Sequence, residues 1–181
     1  MIIISVFWTY VILFIVIGAV RGWPRELLVC FSAILALSLN FVIRRYVPIA
    51  SVLPENDLNL FWIRTIILMV LVYFGYQTVV SIPHLASLAR RERLQDALFG
   101  AFLGGFNGYL ITGTILYYMH VASYPFQDVF AMPANPNILQ VLNQMMLYMP
   151  PQVLGEPGIY FAMILMYVFV LYVYVPKRVS A

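Results

Sequence analysis

The feature that most constrains the fold is a glycine run in an apolar stretch, where Gly100, Gly104 and Gly108 recur at intervals of four. Residues four apart share one face of a helix, so these glycines form a strip of bare backbone that another helix can approach closely. In water each glycine would destabilise a helix by roughly 1 kcal/mol. Because packing in lipid offsets that cost, the run predicts a bundle of membrane helices with these three glycines as its helix-packing residues. Leu110 and Ile115, off the strip, are expected to face lipid.

The composition also indicates a membrane protein. Charged residues make up 9% of the 181 residues and apolar residues 64%, whereas a soluble domain has roughly 25% charged residues. The densest basic cluster, at 90–93, is interrupted by Glu92 and does not resemble a nucleic-acid-binding patch. We therefore expect membrane lipid as one partner and other membrane protein subunits or a second copy as another, with no nucleic acid.

Five apolar segments are long enough to cross about 30 Å of hydrocarbon. The prediction is an all-α, polytopic transmembrane helical bundle. A four-span membrane domain covers 1–121, a proline-rich extracytoplasmic connection covers 122–157, and 158–181 contain the fifth span and a short basic cytoplasmic tail. The five segments are 2–20, 27–43, 60–82, 97–121 and 158–175.

Within the connection, residues 137–149 have helical periodicity. The opposite face of this segment is polar but uncharged, which does not favour binding to anionic headgroups. We expect an amphipathic helix that lies in the membrane interface or against the bundle; a gate or lid is the alternative. The apolar face carries Ile138, Val141, Leu142, Met145 and Met149, and the polar face carries Asn137, Gln140, Gln144 and Tyr148.

The basic residues predict the orientation, because cytoplasmic loops are enriched in Lys and Arg. An N-out, C-in arrangement of five spans gives the inner side seven flanking basic residues and the outer side two. Nothing in the sequence explains the two outer residues, Arg44 and Arg45. The inner residues are Arg21, Arg25, Arg90, Arg91, Arg93, Lys177 and Arg178.

The sequence contains few groups that could carry catalysis. His84 and His120 fall on opposite predicted sides of the membrane, and no Cys, Asp or Glu lies at metal-ligand spacing from either. Both are best interpreted as interfacial histidines. Nucleophile-elbow, zinc-protease, phosphate-loop and haem-attachment motifs are also missing from the sequence. We predict a non-enzyme without catalytic, cofactor-binding or metal-binding residues.

Two polar residues inside predicted spans are candidates for a role beyond packing. A charge at the centre of the hydrocarbon costs at least about 2.5 kcal/mol. Arg64 either extends to the outer boundary or faces a cavity and pairs with Asp57 or Glu55. Asn107 is expected to make an interhelical hydrogen bond, worth on the order of 0.6 kcal/mol.

Asp96 directly precedes the glycine-rich segment. One interpretation is that its carboxylate stabilises the N-terminus of that helix. The other is an ion pair with Arg21 or Arg25 across the inner face, which would tie the first helical hairpin to the glycine helix.

Two blocks of sequence together resemble the colicin V production protein (CvpA) family. The first block, 18–28, reads Gly-Ala-Val-Arg-Gly-Trp-Pro-Arg-Glu-Leu-Leu, and the second, 93–108, runs from Arg-Leu-Gln-Asp into the glycine run. The resemblance covers roughly residues 5–120. Two features depart from the family pattern: its acidic residue near the start of the first span is missing at 8–10, and a fifth span exceeds its usual four. The matching positions are Gly18, Arg21, Gly22, Arg25, Glu26, Asp96, Gly100 and Gly108.

The resemblance implies a multi-pass protein of the bacterial inner membrane, linked to toxin production or export and to envelope function, whose bundle could form a conduit. The alternative is a structural accessory subunit of a larger bacterial membrane complex, respiratory or photosynthetic, that braces a helix–helix interface. The tandem glycines and the lack of catalytic groups favour the alternative. The two expectations are compatible, since a family member can serve as a subunit.

Overall fold

The computed structural model describes residues 2–48, 53–78, 93–126, 130 and 132–174. Within these ranges the regular structure is helical, and four helices are long and apolar enough to cross a membrane. The predicted all-α transmembrane bundle is confirmed. The helices are α1 (Ile2–Arg21), α2 (Trp23–Tyr46), α3 (Leu58–Thr78), α4 (Arg93–Val121), α5 (Pro136–Met146), α6 (Pro150–Val153) and α7 (Gly158–Tyr174).

The described part of the predicted fifth span is α7, whose 17 residues end at the last residue that the structure describes. Seventeen residues correspond to about 26 Å at 1.5 Å per residue. The five-span count and the N-out, C-in orientation stay predictions. Of the residues used for them, Arg90, Arg91, Lys177 and Arg178 lie outside the described residues, as does His84.

A single residue, Gly22, joins α1 to α2. Its φ of 83° lies in the left-handed region, which glycine adopts without steric cost. Pro24 then lies in the first turn of α2, where a missing N–H costs nothing. The turn between α1 and α2 is therefore a single residue, and Glu26 belongs to α2.

The most extensive contact in the molecule joins α1 to α4, and the glycines lie in it. A side-chain carbon added at Gly104 would lie 2.9 Å from the Cα of Gly18, and one added at Gly108 would lie 3.1 Å from the Cα of Val11. A carbon on Gly100 would meet the backbone carbonyl of Gly18. Residues later in α4 contact residues earlier in α1, so the two helices are antiparallel, and their backbones touch directly.

Helix α2 is central, because it packs against α3, α4 and α7. Its buried face carries small and branched residues such as Ala33 and Leu37, which meet Leu68 of α3 and Leu110 of α4. Leu110 is fully buried, so the expectation that it faces lipid is wrong. Helix α1 packs on the glycine side of α4, and α2 packs on an adjacent side of the same helix.

The predicted helix over 137–149 is α5, and Asn135 caps it by accepting a hydrogen bond from the N–H of Asn137 at 2.9 Å. Its buried side chains are Leu142 and Met146, followed by Met149 beyond the helix end. Val141, assigned to the apolar face, is 54% exposed. The buried strip is thus rotated relative to the predicted one.

The connection does not stay at the end of the bundle. Met149 and Pro150 lie against Gly113, and the hydroxyl of Tyr109 donates to the carbonyl of Tyr148. Gly113 precedes the end of α4 by eight residues, or about 12 Å along the helix axis. The chain between α5 and α6 therefore re-enters the bundle. Of the two placements expected for 137–149, in the interface or against the bundle, the structure has the second. Gly113 makes this possible, because it leaves space for the proline ring.

Candidate functional site

The polar side chains of the bundle form two groups. We call the end that carries Arg21 and Asp96 the inner end and the end that carries Arg44 and Arg64 the outer end, following the predicted orientation. The inner group joins α1, α2, α3 and α4, and the outer group joins α2, α3, α4 and α6.

At the inner end, Asp96 ties the first hairpin to α4. Its Oδ1 accepts a hydrogen bond from the N–H of Trp23 at 3.1 Å. Trp23 begins α2, so the carboxylate satisfies one of the N–H groups that a helix start leaves free. The predicted ion pair with Arg21 or Arg25 is wrong: Arg21 pairs elsewhere and Arg25 is exposed. The first hairpin is joined to α4 through a backbone N–H group, because Gly22 has no side chain and the Asp96 carboxylate can approach the backbone there.

Glu26 is the most deeply buried charged residue among those described, with none of its surface exposed. The amide nitrogen of Asn107 donates to the Glu26 carbonyl at 2.8 Å and to its Oε2 at 2.9 Å. Nε of Arg21 lies 3.6 Å from Oε1, and the Arg21 guanidinium carbon lies 4.1 Å from the ring centroid of Tyr76. The buried charge is therefore compensated by residues from α1 and α4.

The sequence predicted an interhelical hydrogen bond for Asn107 but not its partner. Glu26 and Asn107 are 81 positions apart in the sequence. Oε1 of Glu26 and Oδ1 of Asn107 receive no hydrogen bond from the described residues. We call Arg21, Glu26, Asn107 and Tyr76 the inner cluster. The sequence indicated Asn107 as a polar residue within a span, but it did not indicate that Glu26 is its partner.

At the outer end, one carboxylate bridges two arginines. Glu55 Oε1 lies 2.7 Å from an amino nitrogen of Arg44, and Oε2 lies 3.0 Å from one of Arg64. Arg44 also donates to the carbonyl of Leu53 at 2.8 Å. Of the two alternatives for Arg64, extension to the outer boundary or pairing beside a cavity, the structure has the pairing with Glu55. Asp57 instead caps α3, since its carboxylate accepts from the N–H of Asn59 at 2.7 Å.

The same arginines line a cavity of about 440 Å³, which we call the outer cavity. Tyr118 and Asn40 form one side, joined by a hydrogen bond of 3.2 Å. The re-entrant connection forms another, where the side-chain nitrogen of Gln152 donates to the hydroxyl of Tyr117 at 2.7 Å. The outer cavity thus combines groups from α2, α3, α4 and α6.

Between the inner cluster and the outer cavity the bundle is packed with apolar side chains. On α2 this stretch carries Val29, Ala33 and Leu37, which contact Leu68 and Leu110. In the described part of the chain, buried apolar side chains therefore separate the two polar groups.

His120 belongs to a small polar contact at the end of α4. Its Nδ1 lies 3.1 Å from the hydroxyl of Tyr124. Burial raises the pKa of Tyr124 to about 12, so the hydroxyl stays protonated and can donate to the ring. The described ranges contain no group of three or more His, Cys, Asp or Glu residues that could hold a metal ion.

Comparison with protein-family models, with curated proteins and with solved structures finds no match to this chain. The resemblance to the CvpA family stays a prediction that rests on the two sequence blocks. In three dimensions the blocks form one contact: Gly22 lies against Asp96, and Gly18 lies against Gly100. Arg21 and Glu26 pair within the first block.

Proposed function

We propose that this chain is a non-catalytic, multi-pass protein of the bacterial inner membrane that serves as a structural subunit of a larger membrane assembly. The observation that carries the proposal is how the inner-end polar groups are used. Asp96 bonds a backbone N–H of the hairpin, and Glu26 bonds Asn107 of α4. These contacts hold helices together, and buried apolar side chains lie between the two ends, which suits a brace better than a conduit.

The outward surface supports the same proposal. Helix α7 packs against α2, and most of its length presents large apolar and aromatic residues to the surroundings. Phe161 is 69% exposed, Leu165 71% and Tyr172 68%. Aromatic residues carry much of the contact energy in protein interfaces. Such a helix can pack against another membrane protein while its other side holds the bundle.

The test is purification from the native membrane in a mild detergent, followed by native electrophoresis and quantitative mass spectrometry. We expect a fixed ratio of this chain to a defined set of membrane proteins in two different detergents. The paired substitutions Phe161→Ala and Leu165→Ala on α7 should release the chain from that set, while Trp8→Ala and Ile12→Ala on the exposed face of α1 serve as the matched control. Recovery of the wild-type chain alone in both detergents would rule out the subunit role.

The second candidate is a CvpA-like role in toxin production or export and envelope function. It is favoured by the way the two motif blocks meet at Gly18, Gly22, Asp96 and Gly100. A deletion strain should then show reduced toxin release or increased envelope permeability, restored by the wild-type gene. Restoration should fail with Asp96→Ala, although the protein reaches the membrane. An unaltered deletion strain would remove this candidate.

A further inference from the structure

The outer cavity carries more positive than negative charge. Arg44 and Arg64 line it together with a single carboxylate, Glu55. Both Glu55 oxygens are engaged, one by each arginine. The three side chains therefore have a net charge of +1, located at the end of a bundle that is otherwise apolar.

Arg64 has hydrogen-bonding capacity beyond its pair with Glu55. A guanidinium has five N–H donors, and among described residues Arg64 directs one nitrogen to Glu55. Its guanidinium carbon is 5.5 Å from the ring centroid of Tyr118, so one face of the group is covered. Its side chain is only 13% exposed. The remaining donors are thus held in a fixed position at the cavity wall, shielded from bulk water.

The position of the cavity restricts what can reach it. Trp62, near the start of α3, packs against Phe126 with ring centroids 5.8 Å apart, and Trp62 is 44% exposed. Aromatic residues of this kind mark the boundary between hydrocarbon and headgroups. An arginine at that boundary can be reached both by the phosphate groups of lipids and by dissolved anions.

We propose that the outer cavity binds a phosphate group, either that of a lipid headgroup or a free phosphate, through Arg64 and Arg44. Planar guanidinium groups bind phosphate oxygens in a bidentate manner. The amide of Gln152 and the hydroxyl of Tyr117, on the opposite wall, supply neutral hydrogen-bonding groups. Glu55 competes with the ligand for both arginines. This site does not depend on the protein being a subunit of a larger assembly.

The experiment measures binding to the purified full-length protein in a neutral detergent by titration calorimetry at constant ionic strength. The two probes are inorganic phosphate and a short-chain phosphatidylglycerol, with the matching phosphatidylcholine as the zwitterionic comparison. Arg64→Gln should weaken binding by about tenfold or more, because a hydrogen bond to a charged group is lost. Arg45→Gln, an exposed arginine next to Arg44, is the matched control and should leave binding unchanged.

Glu55→Gln should change the affinity in the opposite direction to Arg64→Gln. Because it removes the competing carboxylate, we expect tighter binding than in the wild type. Arg64→Lys, which keeps the charge, should retain part of the affinity. This variant allows the proposal to be tested if Arg64→Gln does not fold. Tighter binding of phosphatidylglycerol with the same variant dependence identifies a lipid as the source, and binding of inorganic phosphate alone identifies a free ion. Absence of saturable binding of both probes, or equal binding by Glu55→Gln and wild type, would overturn the proposal.

Discussion

Individual residues in this bundle act mainly by controlling how close two backbones come. Gly22 has a positive φ, and a side-chain carbon there would lie 2.5 Å from Oδ2 of Asp96. Both the turn conformation and the bond from Asp96 to Trp23 therefore need glycine. The sequence block around Gly22 indicated a tight turn, but no local pattern shows that a carboxylate some seventy residues later completes it.

Gly22→Ala should destabilise the protein by roughly 1–2 kcal/mol from the left-handed conformation alone, with an added cost from the Asp96 contact. The measurement is the thermal unfolding midpoint in detergent. Gly158→Ala is the matched control, because no atom lies within 4 Å of a side-chain carbon added at Gly158. Equal midpoints for the two variants would show that Gly22 does not constrain the turn.

The inner cluster gives a second prediction at this scale. Glu26→Ala removes the acceptor that Asn107 uses at 2.9 Å and leaves Arg21 without its carboxylate. A double-mutant cycle of Glu26→Ala with Asn107→Ala should give a coupling free energy between about 0.6 kcal/mol, the average for hydrogen bonds between membrane helices, and about 1.7 kcal/mol, the largest value. The readout is unfolding of the purified protein by a denaturing detergent. Strict additivity would mean that the pair does not interact.

At the scale of helices, the spacing of the glycines along α4 predicted a packing face. The sequence did not predict which residues of different helices form pairs. The glycine strip follows from a repeat of four within one segment, and it does meet the backbone of α1. The pairs Glu26–Asn107 and Tyr109–Tyr148 join residues 81 and 39 positions apart. Arg64 and Glu55, nine positions apart, were one of the pairings that the sequence indicated in advance. Gly113, which lies off the glycine strip, is the sequence feature that allows the re-entrant connection to pack against α4.

Gly104→Leu should disrupt the contact between α1 and α4. Leucine favours a helix over glycine by roughly 0.8 kcal/mol, yet its first side-chain carbon would lie 2.9 Å from the Cα of Gly18. No hydrophobic force between helices in lipid recovers that lost packing. We expect low yield and a polydisperse profile on size-exclusion chromatography. Phe102→Leu on the same helix, where Phe102 is 73% exposed, should behave as the wild type.

For the whole molecule, the sequence predicted a helical membrane bundle because composition and length decide that class. It did not predict the architecture of the outer end. Arg44 was an exception to the distribution of basic residues, and the structure places it 2.7 Å from Glu55. Arg44 is thus held by a carboxylate at the cavity wall and is not an unpaired charge in lipid, whereas its neighbour Arg45 is exposed.

The orientation can be tested with single cysteines in a Cys30→Ser background, since Cys30 is the only cysteine in the chain. Ala134→Cys is at an exposed position of the connection, and Ser180→Cys is in the basic C-terminal tail. With the N-terminus outside, a membrane-impermeant thiol reagent should label Ala134→Cys on intact cells, and label Ser180→Cys only after lysis. The reverse pattern would invert the bundle and place the outer cavity, with Arg44 and Arg64, on the cytoplasmic side. Labelling of both positions on intact cells would instead mean that α7 does not cross the membrane.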